Sequence, residues 1–387
     1  MEYLHGGDIY TYENMLDFSI NINPFGPSEE VLRAVQRAVP EIAKYPDSRC
    51  RKLLRALAEE KEMPASWFIF GNGVAELIFS LVQAERPKKA LLPVPSFGEY
   101  ERALHNVGCD ITYFGLKKEQ HFDVTEALLD RLDDKTDILF LCSPSNPVGR
   151  VIEETLLGQI LDACERLHIR LVLDACFMEF HSKTEESVKK LCQEDSHMLF
   201  VLGAFTKTYG IPGLRLGYGI SKDKALLEKM KEGMQPWNIS VLAQAAGVAA
   251  LKEKKRTVKM RSFIEQERNW MELELEKAGI EYIPSAANYM LLFSPYDLFS
   301  LLQEESILIR DCQNYRGLEI TGLPSNSMRK IKDFWQRLRK STKKGRRKQE
   351  HGETDYDTGD NVECGKEYSR GRLMQSAYAG WLQGGAF

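Results

Sequence analysis

Between about residue 30 and residue 315 the chain alternates two kinds of apolar pattern. EEVLRAVQRAV and RKLLRALAEE repeat apolar residues at helical spacing, which predicts amphipathic helices. Between such stretches come short, nearly unbroken apolar runs closed by turn residues: KALLPVPS, DILFLCSPSNP, IRLVLDACF and MLFVLGAF. Continuous apolar strands separated by helices predict an α/β fold with a mostly parallel central sheet and helices on both faces. Segment 226–280 reads as long helices with polar faces, and YMLLFSP and ILIRDC as later strands of a smaller α/β domain. No repeat or flexible linker interrupts this stretch. The expected organisation is an N-terminal arm over 1–28, a large domain over 29–225, a small domain over 226–318, and a remainder of different character over 319–387.

Composition narrows the class of protein. Apolar residues make up 43% of the 387 and charged residues 28%, enough for a large core in a two-domain enzyme. The net charge of −4 argues against a general nucleic-acid or membrane binder. The start, MEYLHGGDIYTYENML, lacks the basic and apolar regions of a signal peptide, and no apolar stretch is long enough to span a bilayer. The eight cysteines are scattered without CxxC or zinc-like spacing, so free thiols, a cytoplasmic location and no metal are expected.

Candidate chemistry gathers at the ends of the apolar runs, where open α/β sheets place their ligands. Lys207 lies in AFTKTYGIPGLRLGYG, directly after MLFVLGAF; partial desolvation there lowers an amine's pKa and favours imine chemistry. Arg215, eight residues on, suits a phosphate dianion, and Thr206 stands beside the lysine. Asp174 ends IRLVLD and can keep a ring nitrogen protonated, while Asn146, in SPSNPVG, can donate to a ring oxygen. In the turn before AELIFSLV, Gly73, Val74 and Ala75 offer backbone N–H groups to a phosphate at a helix start. Phe97, in PVPSFGEY, is a candidate to stack on a ring, and Tyr45 to reach a phosphate across a dimer interface. Each also has a plainer reading: a surface lysine, a turn aspartate, an Asn-Pro turn, a core aromatic. Together they supply what pyridoxal 5'-phosphate (PLP) requires of a protein.

Their order is more specific than any one of them. A GNG loop, an aromatic turn, SxSNP, a strand-ending Asp, then TK with Arg at plus eight resembles the fold-type I PLP-dependent aminotransferase superfamily, class I/II branch, over roughly residues 3–318. The resemblance implies a homodimer with active sites at the interface, Lys207 and Asp174 as catalytic residues, and the remaining groups above as cofactor ligands. Within the superfamily, HGGDIY at 5–10, LDFSININPFGP at 16–27 and ILIRDCQNYRGL at 307–318 resemble the branch that decarboxylates L-threonine O-3-phosphate in cobalamin biosynthesis, a relative of the histidinol-phosphate aminotransferases. That likeness implies His5, Gly6, Asn21, Asn146 and Arg310 as ligands of a small phosphorylated amino acid. A histidinol-phosphate or other PLP aminotransferase is the alternative. Two positions depart from the family: Ala204 replaces the usual Ser three residues before the lysine, and Ala175-Cys176 replaces Glu-Ala after the aspartate.

After Leu318 the resemblance stops. Residues 329–348 hold eleven Lys or Arg and one acid, Asp333, and 351–387 are rich in Gly, Asp, Tyr and Ser. Back-translating RKIKDFWQRL with a two-base shift permits ENKGLLAA, close to the family's last helix. A one-base shift in TDYDTGDNVECGKEYS permits IMIQGTMSNAGK, which resembles the P-loop start of cobyric acid synthase. Both point to a frameshift near Leu318–Glu319, and so to a further alternative, an inactive remnant. The rival reading of the tail is a basic arm for nucleic acid or anions.

Overall fold

The apolar runs become strands because helices cover both of their faces. The computed structural model describes residues 5–294, 296–318 and the backbone of 322–326, all within the unit Met1–Gly345. The strands are β1 (Leu16–Asp17), β2 (Phe68–Gly71), β3 (Lys89–Val94), β4 (Asp110–Gly115), β5 (Ile138–Cys142), β6 (Arg170–Asp174), β7 (Leu199–Ala204), β8 (Gly217–Ile220), β9 (Glu281–Ile283), β10 (Tyr289–Phe293), β11 (Ile307–Leu308) and β12 (Gly322–Asn326). The helices are α1 (Glu29–Ala38), α2 (Arg51–Lys61), α3 (Gly73–Glu85), α4 (Gly98–Asn106), α5 (Glu154–Leu167), α6 (Ser182–Gln193), α7 (Phe205–Thr208), α8 (Lys224–Gly233), α9 (Val241–Ala250), α10 (Lys254–Ala278) and α11 (Leu298–Gln303).

Seven strands form one sheet in the order β2-β8-β7-β6-β5-β3-β4. The run from β7 to β4 is parallel, and β8 runs against both β7 and β2. Side chains alternate across the sheet. Leu139, Leu141, Leu171, Leu173 and Val201 pack on one face with Leu57 of α2, Ile160 of α5 and Ala246 of α9. Phe140, Val172, Phe200 and Leu202 pack on the other with Leu81 of α3, Leu104 of α4 and Met230 of α8. Each such fully buried side chain contributes about 1.5–3 kcal/mol of transfer free energy. Helix starts are capped by side chains: Ser28, Asp223 and Ser240 accept from the amides of Val31, Leu226 and Ala243, each worth ~1 kcal/mol.

A second sheet, antiparallel in the order β12-β10-β9, packs with α10 and α11 around Met260, Ile264, Met271, Leu275, Leu292 and Leu298. β1 of the arm pairs in parallel with β11, Leu16 opposite Ile307 and Asp17 opposite Leu308.

α8 and α9 close their apolar faces (Leu227 and Met230, Ala243 and Ala246) on the seven-stranded sheet, and the second core draws on α10. The expected end of the small domain at Leu318 falls inside its sheet, whose β12 edge comes from residues 322–326. The rest of the expected out-of-frame tail, with its basic run, lies outside the described residues. The seven described cysteines are all buried and unpaired. Among the described residues no helix is long and apolar enough to cross a membrane.

Candidate active site

Three parallel strands deliver the central residues. Asp174 ends β6, one residue past the apolar run that burial required, and is only 5% exposed. A carboxylate so buried needs donors. The Cys176 amide donates to Oδ1 at 3.0 Å, and the Tyr100 hydroxyl of α4 donates to Oδ2 at 2.5 Å. β7 leads into the single turn α7, which carries Lys207 with buried Thr206 and Thr208 on either side. Burial pushes the Lys207 ammonium below its usual range. Arg215 pushes the same way, while Cys176 and Asp174 oppose it. Cys176 contributes no negative charge at neutral pH, because burial and the adjacent Asp174 hold its thiol protonated. Lys207 Nζ lies 5.8 Å from the centre of the Phe177 ring.

The proposed phosphate cup is built from α3 and the turn before β8. Gly73, at φ +76°, opens α3, and a Cβ there would come within 2.3 Å of Arg215 Nη2. Only glycine lets the guanidinium lie against this helix start. Val74 and Ala75 follow in the first turn, where amides lack intrahelical partners. The Asn72 amide is already taken, donating to Glu76 Oε2 at 2.5 Å. Ala204 stands at the end of β7, so no hydroxyl is contributed from that position.

Asn146 follows β5, and the Cys142 thiol at the end of that strand senses Asp174, Asn146 and Tyr100 together. The Tyr315 hydroxyl donates to Asn146 Oδ1 at 3.4 Å, and Arg310 lies 5.5 Å over the Tyr315 ring with Nη2 donating to Asn314 Oδ1 at 2.8 Å. The small domain therefore brings Arg310 towards Asn146 through one tyrosine. Phe97 caps the start of α4 and meets Tyr100 edge-on at 5.6 Å.

The arm closes over this assembly. Asn23 N–H donates to Lys207 O at 2.9 Å, and its side-chain amide to Thr208 O at 2.7 Å. Asn21 is 8% exposed, and its buried Oδ1 has no hydrogen-bond partner. Gly6 packs so closely on Ser19 O that a Cβ would fall 1.9 Å from it. His5 departs from the simple expectation. Its Nε2 lies 2.9 Å from Glu99 Oε1, and this bond holds the Glu99 carboxyl below its usual range. Holding a substrate phosphate with Nε2 requires that pair to open. Tyr45 stands apart from the cluster, 77% exposed and stacked on Trp237 at 4.3 Å.

The residues present fit PLP: a buried amine of lowered pKa, a buried carboxylate held by two donors, a glycine cradle against an arginine, and an asparagine amide at a neighbouring strand end. Sequence reasoning missed Tyr100, Phe177 and Tyr315. Tyr100, three residues beyond Phe97 on a helix, carried a spacing signal, but only packing shows what its hydroxyl reaches.

Residues 13–329 match the family described as aminotransferase class I and II. A threonine-phosphate decarboxylase of Salmonella typhimurium is 36% identical over 336 residues, 81% of this chain and 89% of that protein. A histidinol-phosphate aminotransferase of Anoxybacillus flavithermus is 30% identical over 314 residues, 78% of this chain and 81% of that protein. The solved structure of the histidinol-phosphate aminotransferase from Clostridium acetobutylicum superposes with a TM-score of 0.79 at 26% identity, covering 85% of this chain and 100% of that one.

Proposed function

The chain belongs to the aminotransferase class I and II family, and from that premise we propose that it decarboxylates L-threonine O-3-phosphate to (R)-1-amino-2-propanol phosphate and CO2, a step of cobalamin biosynthesis. The observation that carries the reading is the arm laid across Lys207, with the buried and unpartnered Oδ1 of Asn21 awaiting a donor. Its HGG and DFSININP segments are those that resemble the decarboxylating branch.

The cofactor is PLP, whose aldehyde condenses with amines and whose protonated ring draws electrons from Cα when bound. Asp174, held from both sides, keeps the ring nitrogen protonated. Asn146 Nδ2 donates towards the ring oxygen, and Arg215 with the amides of Val74 and Ala75 binds the phosphate. Lys207, buried and with its amine held below its usual pKa, would hold the cofactor's aldehyde and, as a free amine, would supply the proton that takes the place of the carboxylate at Cα. Arg310, Asn21 and the arm at His5 and Gly6 hold the carboxylate and phosphate of the substrate. By fixing both ends they would set which bond at Cα, that to the carboxylate or that to hydrogen, is oriented to break.

The exposed Tyr45–Trp237 pair supports a homodimer in which Tyr45 reaches the partner's phosphate cup. The absence of a candidate membrane helix among the described residues is in keeping with a cytoplasmic enzyme. The tail beyond Leu318 is read as out of frame, apart from its use of 322–326 as an edge strand; the DNA sequence of the gene tests this directly. Transamination of histidinol phosphate is the second reading, favoured by the relatives of that activity. CO2 release from phosphothreonine, beside product formation from histidinol phosphate with 2-oxoglutarate, separates the two. CO2 release alone supports decarboxylation, glutamate formation replaces it with the aminotransferase, and PLP uptake with neither product identifies a remnant.

A further inference from the structure

Asp174 and its neighbours contain an element that the reading above does not use. The Asp174 carboxylate receives one donor on each oxygen, Cys176 N–H on Oδ1 and Tyr100 Oη on Oδ2. With both bonds in place the group cannot turn about Cβ–Cγ. A carboxylate has about four lone-pair sites, so two such donors still leave room for a ring N–H.

Tyr100 is itself immobilised. It is 1% exposed, its ring stacks on Phe140 at 4.9 Å and 17°, and Phe97 meets it edge-on. Phe140 and Asp174 project from neighbouring strands β5 and β6 onto the same face of the sheet. The hydroxyl is therefore aimed by a shelf that three elements build: β5, α4 and the turn before α4. Burial, together with the charge of Asp174, holds the phenol protonated, so it remains a donor throughout.

We propose that Tyr100 is a positioning residue for Asp174, its hydroxyl fixing the carboxylate in the orientation that meets the cofactor's ring nitrogen. A tyrosine that served the core alone would lose nothing by becoming phenylalanine. The hydroxyl on Asp174 is the part this role requires. The inference rests on the PLP reading of the site, but not on which substrate is decarboxylated or transaminated.

The test is a double-mutant cycle read on cofactor binding rather than turnover. Tyr100→Phe removes one oxygen and keeps the ring on Phe140, so the apoprotein should stay folded, with a lower melting temperature because buried Asp174 loses one donor. Its PLP dissociation constant, from visible absorbance titration, should rise about tenfold, in line with the loss of a hydrogen bond to a charged group. In the Asp174→Asn background the same substitution should change the constant by less than about twofold. A structural role would weaken both backgrounds equally. Equal losses in both backgrounds, or unchanged binding by Tyr100→Phe, overturns the inference while leaving the cofactor reading intact. Wild-type protein that takes up no PLP overturns both.

Discussion

Gly73→Ala tests the phosphate cup at its tightest point. The residue sits at φ +76°, where an L side chain costs ~1–2 kcal/mol. The new Cβ would stand 2.3 Å from Arg215 Nη2 and 2.9 Å from Cζ. Both are the far end of a flexible side chain, so the guanidinium swings away and the fold persists. The larger effect falls on the cofactor. A guanidinium moved off the phosphate forfeits a charge-assisted hydrogen bond, ~1.5–3 kcal/mol, or roughly 10–150-fold in affinity. The assay is titration of apoprotein with PLP, followed by the visible band, with thermal melts of the apo form alongside. The expected result is a folded apoprotein, slightly less stable, with a dissociation constant raised into that range. Wild-type affinity in Gly73→Ala would refute the assignment of this loop and Arg215 to the phosphate. Failure to fold would refute the claim that the arginine tip relieves the clash.

Lys207→Ala should abolish the yellow band and all CO2 release; a yellow purified variant would remove the basis of the proposed chemistry. In the apoprotein, the lowered Lys207 pKa means that the unfolded chain binds a proton the native state has released. Stability therefore rises with pH from the native pKa up to the ordinary value of 10.5. Urea melts across mildly alkaline pH should show that slope, and it should flatten in Lys207→Ala. Arg310→Gln should raise KM for phosphothreonine by about tenfold or more and lower kcat as well, because the substrate loses both an anchor and its orientation; unchanged KM and kcat place the carboxylate elsewhere. Leu171→Ala, at a fully buried position of β6, should cost ~2–5 kcal/mol in chemical denaturation without altering cofactor affinity per folded molecule.

The sheet was legible because runs such as ILFLC are apolar at every position, the signature of strands covered on both faces. Lys207, Asp174 and Arg215 could be proposed from sequence because each lies at or shortly after the end of such a run. Contacts made by packing were not legible. Tyr100 reaches Asp174 across 74 residues of sequence, and His5 finds Glu99 across 94. Tyr315 meets Asn146 only once the small domain has docked. The surface that α8 covers was not legible for a related reason. The apolar stripe of α8 looks the same in sequence whichever sheet it covers, and only the structure shows Leu227 and Met230 closing on the large one.

The N-terminal segment has one more consequence. Its backbone is knitted to β11 through Leu16 and Phe18, to the lysine turn through Asn23, and to Asn288 at the start of β10 through the carbonyl of Ile22. Arg256 of α10 grips it again at the carbonyls of Phe25 and Gly26. One ribbon of about ten residues thus ties the lysine turn to the second sheet and α10, beside direct bonds such as Tyr289 Oη to Ser145 O and Arg150 to Pro284 O. A protease nick within it would leave every catalytic side chain intact and still loosen the backbone bonds that hold the lysine turn to the second sheet.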